Sequence, residues 1–303
     1  MEYKKNDIVR ICITDISDTG EGIGKADGYT LFVKDTVVGD EADVRITKAG
    51  KTYGFGRVEN VVSHSPFRVT PPCPKAAPCG GCQLQQMAYK EQLRVKEAKV
   101  KDALVRIGGF PEEIVRGVTK PILGMEDPLH YRNKAQYPAG SDRDGNIIAG
   151  FYAAHSHRII PAEDCLLGQS VHAEILRMTV QWMKDCGIRP YDETSGRGLV
   201  RHILIRTGRT SGEIMVCLVI NGSRLPHAEE LTTSLRTVPG MASVQISPNR
   251  ERSNVIMGEK AITLWGKEYI TDSIGDLTFE ISAKSFYQVN PLQTKVQIGR
   301  AHV

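Results

Sequence analysis

The stretch YTLFVKDTVVGDEADVRITKAGKTYGFGRVENVV, residues 29–62, breaks into three apolar–polar alternating segments, YTLFVKDTVV, DEADVRIT and YGFGRVENVV. Glycine-bearing turns such as KAGKTYG separate them. Upstream, DIVRICITDIS has the same alternation. Several short strands at this spacing predict a small closed all-β barrel of the OB type over residues 1–62. The glycines at 20, 22 and 24 resemble a phosphate-cradling loop. Such a loop must open a helix, and no helical pattern follows, so DTGEGIGKADG reads as a hairpin turn.

A chain of 303 residues, 41% apolar and 24% charged, has room for two or three domains with cores of their own. Its longest wholly apolar run, Ile214 to Ile220, falls far short of the roughly 20 residues that cross a bilayer. MEYKKNDIVR lacks the apolar core and cleavage site of a secretory signal, so a cytoplasmic location is expected, with no membrane partner. The net charge is +4, but residues 1–62 carry nine Lys/Arg against eleven Asp/Glu. Any nucleic-acid surface is therefore local.

After the barrel, SHSPFRVTPPCP is a proline-bearing linker into TPPCPKAAPCGGCQLQQ, where Cys73, Cys79 and Cys82 fall within ten positions. Seven cysteines are too few for a disulfide scaffold, and a tight cluster favours metal or redox chemistry. Zinc sites pair their ligands as C-x2-4-C twice, and only one such pair exists here. An iron–sulfur cluster takes four cysteines, of which one can be remote. Cys165, in PAEDCLLG, is the best remote candidate. Cys12, Cys217 and Cys186 read more simply as buried apolar residues. The spacing alone leaves iron–sulfur, zinc and a non-metal role open, while the five-residue first gap argues against a radical-SAM cluster.

Residues 84–107 carry Leu84, Met87, Leu93, Val100, Leu104 and Ile107 at helical spacing, and Gly108–Gly109 stop the pattern. From Asp127 strands dominate, with IIAGFYAAHSHRII and GLVRHILIRTGRTSGEIMVCLVING as hairpins. SVHAEILRMTVQWMKDCGI and HAEELTTSLRTV interrupt them as helices, giving an α+β domain. In LHYRNKAQYP, Tyr131, Arg132 and Lys134 mix a ring with cations, the materials of single-stranded RNA binding. Residues 195–210 carry Arg197, Arg201, Arg206 and Arg209 and no acid, a second candidate phosphate-contacting edge.

The order of a TRAM-like barrel, C-x5-C-G-G-C, HYRNKAQYP, a distant EDC and SFYQVNP resembles the bacterial SAM-dependent RNA uracil-C5-methyltransferases, up to about Val296. The resemblance implies an RNA-binding TRAM barrel (1–62), an iron–sulfur cysteine loop (63–83) and a helix that packs on the methyltransferase domain (84–109). An α+β central RNA-binding domain (110–284) and the start of a truncated Rossmann-like methyltransferase domain (285–303) follow. It implies that Cys73, Cys79, Cys82 and Cys165 hold a [4Fe–4S] cluster that supports folding and RNA binding. It implies too that Gln288 contacts S-adenosylmethionine. The substrate is expected to be RNA, ribosomal (23S) rather than transfer, and the full-length protein a monomer.

The family's reaction needs a thiolate that adds to uracil C6, a bound methyl donor and a base that removes the C5 proton. The family's glycine loop, Asp-Pro-Pro segment and late cysteine do not follow Asn290, so no catalytic residue is assigned and the 303-residue chain is expected to be inactive. IGRAHV, residues 298–303, does not continue the helical pattern of NPLQTKVQ. Its codons can spell a sequencing adapter, so it is read as adapter-derived. The helix stripe is then expected to be exposed, with poor solubility. The rival readings are a stand-alone RNA-binding module with a metal-stabilised core, and a zinc protein.

Overall fold

The computed structural model describes residues 3–154 and 156–301. The chain divides into two compact units, residues 1–124 and 125–303.

The first unit begins with five strands: β1 (Ile8–Ile16), β2 (Gly22–Ala26), β3 (Tyr29–Val33), β4 (Glu41–Ala49) and β5 (Tyr53–Ser63). They close into a barrel in the order β1-β2-β3-β5-β4, with β3 and β5 parallel. Alternation turns Ile11, Ile13, Leu31, Val33, Val44 and Ile46 inward as the core. The glycine stretch read as a turn is in part a strand. Gly20 makes the turn with φ +92°, while Gly22 and Gly24 lie within β2. A Cβ on Gly22 would sit 2.0 Å from Thr36 Oγ1, and one on Gly24 2.6 Å from the Cys12 carbonyl. These glycines serve close packing inside the barrel. Cys12, read as buried, faces outward and is exposed.

Behind the barrel, Asp40 accepts hydrogen bonds from the amides of Val37 and Ser65 and from Arg68. Burial pushes its carboxyl up, but Arg68 and the two amides hold it below the usual range. An Arg68–Met87 bridge, with Val69 N–H donating to Gln86 O at 2.9 Å and Ala88 N–H to Phe67 O at 2.8 Å, closes the base of the cysteine loop.

Helix α1 spans Tyr89–Asp102, five residues shorter at its start than the sequence suggested. The Gln92 amide donates to the carbonyls of Leu84 and Met87, which holds that segment as a turn. Leu84 and Met87 pack with Val95 against Ile16 and Val37. One π-helical turn, Ala103–Ile107, continues α1, and α2 spans Glu112–Val118. Ile107 is 88% exposed, and Val100, Phe110, Ile114 and Val118 are exposed as well.

The second unit is built on a seven-stranded sheet, β12-β11-β10-β9-β6-β7-β8. Its strands are β6 (Lys134–Ser141), β7 (Ile147–Tyr152), β8 (Ile159–Pro161), β9 (Val200–Thr207), β10 (Ile214–Ile220), β11 (Met241–Pro248) and β12 (Ile262–Gly266). Helices α3 (Val171–Asp185) and α4 (Ala228–Leu235) cover one face through Ile175, Leu176, Met183, Leu231 and Leu235. The hairpin β13 (Ile270–Ile274) and β14 (Leu277–Ile281) contributes Ile270 and Ile281 to a second cluster with Leu204, Met215 and Cys217. Both faces of β9 and β10 are thereby buried, as their unbroken apolar runs require. Helix α5 runs Pro291–Ala301, so it continues past Gln297 into the segment read as adapter-derived. His302 and Val303 lie outside the described residues. Among the described residues, no helix is long and apolar enough to cross a membrane.

Candidate functional site

The segment ahead of β6 is fixed before the strand begins. His130 takes a left-handed backbone (φ +49°), its amide donates to Leu166 O at 2.7 Å, and Arg132 N–H donates to Leu167 O at 2.9 Å. Tyr131 and Arg132 are thereby laid beside the loop that carries Cys165. Behind this loop the buried Tyr137 hydroxyl meets His172 Nδ1 at 2.9 Å. Burial lowers the His172 pKa to about 4 and keeps the ring neutral.

Asn133 is buried and reaches across the sequence: its side-chain amide donates to Gln288 O at 2.9 Å and its backbone N–H to Val289 O at 3.1 Å. Arg206, 2% exposed on β9, donates to the carbonyls of Ala283 (3.2 Å) and Ser285. Segment 283–289 is thus clamped through its backbone by β9 and by the residue just ahead of β6, which leaves its side chains to alternate. Tyr287 packs on Phe279 and donates to Asp272 at 3.3 Å. Phe286, 86% exposed, and Gln288 face solvent. Gln288 therefore presents a side-chain amide without any intramolecular bond among the described residues.

Lys134 sits opposite Arg206 in the β6–β9 register. It is half-buried, and its pKa is lowered first by desolvation and then by Arg206 and Arg132. No acid pairs with it among the described residues. Arg206 and Arg132 are the cations near enough to bear on its charge.

The arginine edge is not the open surface that the sequence suggested. Arg201 is buried, donates to Asn249 O and Glu251 O at 2.8 Å, and lies 4.7 Å from the centroid of the Tyr191 ring. Arg201 and Arg206 lie on a strand covered on both faces, so their charge goes to backbone carbonyls. Arg197 and Arg209 are exposed. The sequence carries no signal for the Asn133 contact, which joins residues 155 positions apart.

In the first unit, Cys73, Cys79 and Cys82 share one loop and are half-buried. Gln85 Oε1 accepts from Cys73 N–H at 3.3 Å, Cys79 N–H donates to Lys75 O at 3.0 Å, and Gly81 N–H points at Cys79 Sγ at 3.4 Å. The donor set fits a thiophilic metal centre in kind, and the N–H to sulfur contact is one that tunes such centres. Among the described residues, no three His, Cys, Asp or Glu side chains are gathered closely enough to hold an ion. Cys165 belongs to the other unit.

Cys186 and Cys217 lack the marks of a nucleophile, which needs a lowered pKa and access. Burial pushes the Cys217 thiol up to about 12, and desolvation raises Cys186 as well.

Comparison with known proteins gives the barrel a name. Residues 3–58 match the TRAM domain family. The TRAM match covers all but the last few residues of the barrel. Over 298 residues, 98% of this chain, a Halalkalibacterium halodurans protein is 46% identical, and a Clostridium tetani protein is 42% identical over 299. Both are named uncharacterized RNA methyltransferases. The chain spans 64% of the length of each. The crystal structure of a Pyrococcus abyssi tRNA (uracil-54, C5)-methyltransferase with S-adenosyl-L-homocysteine superposes with TM-score 0.72 over 96% of this chain and 64% of its own. Its sequence is 23% identical, so it speaks for the fold alone.

Proposed function

We propose that this chain is the RNA-binding part of an S-adenosylmethionine-dependent RNA uracil-C5-methyltransferase acting on 23S ribosomal RNA. The carrying observation is the clamp of segment 283–289 by Asn133 and Arg206, which brings Gln288, Lys134 and Arg132 into one region. In this reading Arg132 and Lys134 neutralise backbone phosphates, as cations without acidic partners do. Phe286 offers a ring for an unpaired base. Gln288 offers one amide contact to S-adenosylmethionine, which supplies the methyl group. Arg206 acts as a positioning residue beneath the segment, and Arg197 and Arg209 are the accessible cations of their stretch.

Cys73, Cys79 and Cys82, with Cys165, would hold a [4Fe–4S] cluster, which supplies a structural cross-link and no turnover. Chemical analysis should find about four iron and four sulfide per chain in anaerobically purified protein, and Cys82→Ser should lose both. Zinc in their place would overturn the cluster assignment. The substrate is tested in a strain lacking the gene, by mass spectrometry of digested RNA. Loss of 5-methyluridine from 23S RNA is the expected result. Its loss from transfer RNA alone would refute the ribosomal assignment.

A further inference from the structure

Just ahead of β6, one histidine is committed to a neighbouring turn through both its backbone and its ring. An Asx turn, with Leu129 N–H donating to Asp127 Oδ1 at 2.9 Å, leads the chain into His130. His130 then takes φ +49°, a left-handed backbone that non-glycine residues adopt rarely. In that conformation its amide donates to Leu166 O at 2.7 Å, and its Nδ1 lies 2.9 Å from Gly168 O. A carbonyl only accepts, so Nδ1 carries the proton. Arg132 N–H donates to Leu167 O at 2.9 Å, so residues 130 and 132 take three successive carbonyls.

The turn that receives them is firmly supported. Gly168 N–H donates to Cys165 O at 3.2 Å and closes it. Behind it stand Tyr137 and His172, both buried and joined hydroxyl to Nδ1 at 2.9 Å. A Cβ on Gly168 would lie 3.2 Å from His172 Nδ1 and 3.3 Å from the Tyr137 hydroxyl, so the turn rests directly on that pair. The unusual backbone at His130 is thus over-determined by its surroundings, the condition under which such a conformation persists. The Arg132 guanidinium, by contrast, has no acidic partner among the described residues.

We infer that His130 is a positioning residue: by locking residues 130–132 onto the 165–168 turn, its imidazole fixes the direction from which Arg132 meets an RNA phosphate. This rests on the reading of Arg132 as an RNA contact and names the residue that holds that contact in place. An arginine on an unrestrained segment loses backbone as well as side-chain freedom on binding, and one on a locked segment loses less. The ring therefore contributes to affinity without touching RNA.

The test measures fluorescence anisotropy of a labelled, unstructured ten-nucleotide RNA with the full chain across a salt series. Arg132→Ala should weaken binding about ten-fold, as for a lost charged hydrogen bond, and lower the slope of log affinity against log salt by about 0.7. His130→Ala should weaken it about five-fold, the equivalent of one neutral hydrogen bond, and lower the slope in the same direction. His130→Gly suits the left-handed backbone but has no donor, so it should lose affinity as the alanine variant does. His130→Asn tolerates that backbone and keeps an N–H donor, so it should bind as wild type. In the Arg132→Ala background His130→Ala should change nothing further, because the ring acts through Arg132. Equal losses in both backgrounds would refute the positioning role and make His130 a structural support of the cysteine-bearing turn. If His130→Asn fails to recover what His130→Gly loses, the bond to Gly168 is refuted as the cause. Normal binding by His130→Ala and His130→Gly, with Arg132→Ala impaired, overturns the inference while the RNA reading of Arg132 stands. Wild-type affinity and slope in Arg132→Ala would remove that reading, and the positioning role with it.

Discussion

Replacing Asn133 by alanine should loosen segment 283–289 without unfolding the sheet. The side-chain amide of Asn133 makes one hydrogen bond, 2.9 Å to Gln288 O. Losing a neutral hydrogen bond costs about 1 kcal/mol, and leaving its buried acceptor dry brings the cost to about 1–3 kcal/mol. About 2 kcal/mol corresponds to a roughly thirty-fold larger open population. Two restraints survive, the backbone Asn133 to Val289 bond and the Arg206 bonds to Ala283 and Ser285, so the opening stays local. Chymotryptic cleavage after Phe286 or Tyr287 reads that population directly when reclosing outpaces cleavage. The rate should rise about thirty-fold while the thermal midpoint moves by only a few degrees. Asn133→Asp should open the segment at least as much, because a carboxylate would then face a carbonyl oxygen. Unchanged cleavage in both variants would refute the clamp and the grouping of Gln288 with the β6 cations.

Arg68→Met should cost about 3–5 kcal/mol in urea unfolding, since it leaves Asp40 buried and unpaired. The Asp40 carboxyl is held below its ordinary range. Its contribution is therefore complete above about pH 4 and is lost as pH falls through the lower folded value. Without Arg68 burial dominates, so the variant should lose stability at higher pH than wild type in urea midpoints measured across pH. Iodoacetamide should modify Cys12 in the native protein and leave Cys217 unreacted until denaturation, as intact mass after each step will report. Ile107→Glu should raise the soluble fraction of the 303-residue chain by removing the most exposed member of its apolar face. A wild-type chain that is already monodisperse on sizing would contradict that expectation.

The barrel was legible because its strands alternate apolar and polar residues around a small core. β2 was not, because Gly22 and Gly24 look like turn residues, and only the neighbouring Thr36 and Cys12 reveal that they permit close packing. The α+β plan and the β7–β8 and β9–β10 hairpins could be read from pattern. Arg201 and Arg206 were misread as surface cations, since nothing in their spacing signals that carbonyls at 249, 251, 283 and 285 await them. The start of α1 was misplaced for a related reason: Leu84 and Met87 keep the helical period, but the Gln92 side chain takes their carbonyls. Phe286 and Gln288 gain their prominence only from a backbone clamp made by distant residues.

The bonds at the root of the cysteine loop carry one more implication. Because Val69 and Gln86 are joined there, residues 70–85 form a closed excursion from an already folded frame. Ordering that excursion around any ligand costs only its own chain entropy, since loop closure has been met by the frame. Loss of the ligand should accordingly melt this excursion alone. Insertions between Cys73 and Cys79 should be tolerated by the barrel and by α1, whose contacts with the excursion lie at Leu84, beyond the cysteines.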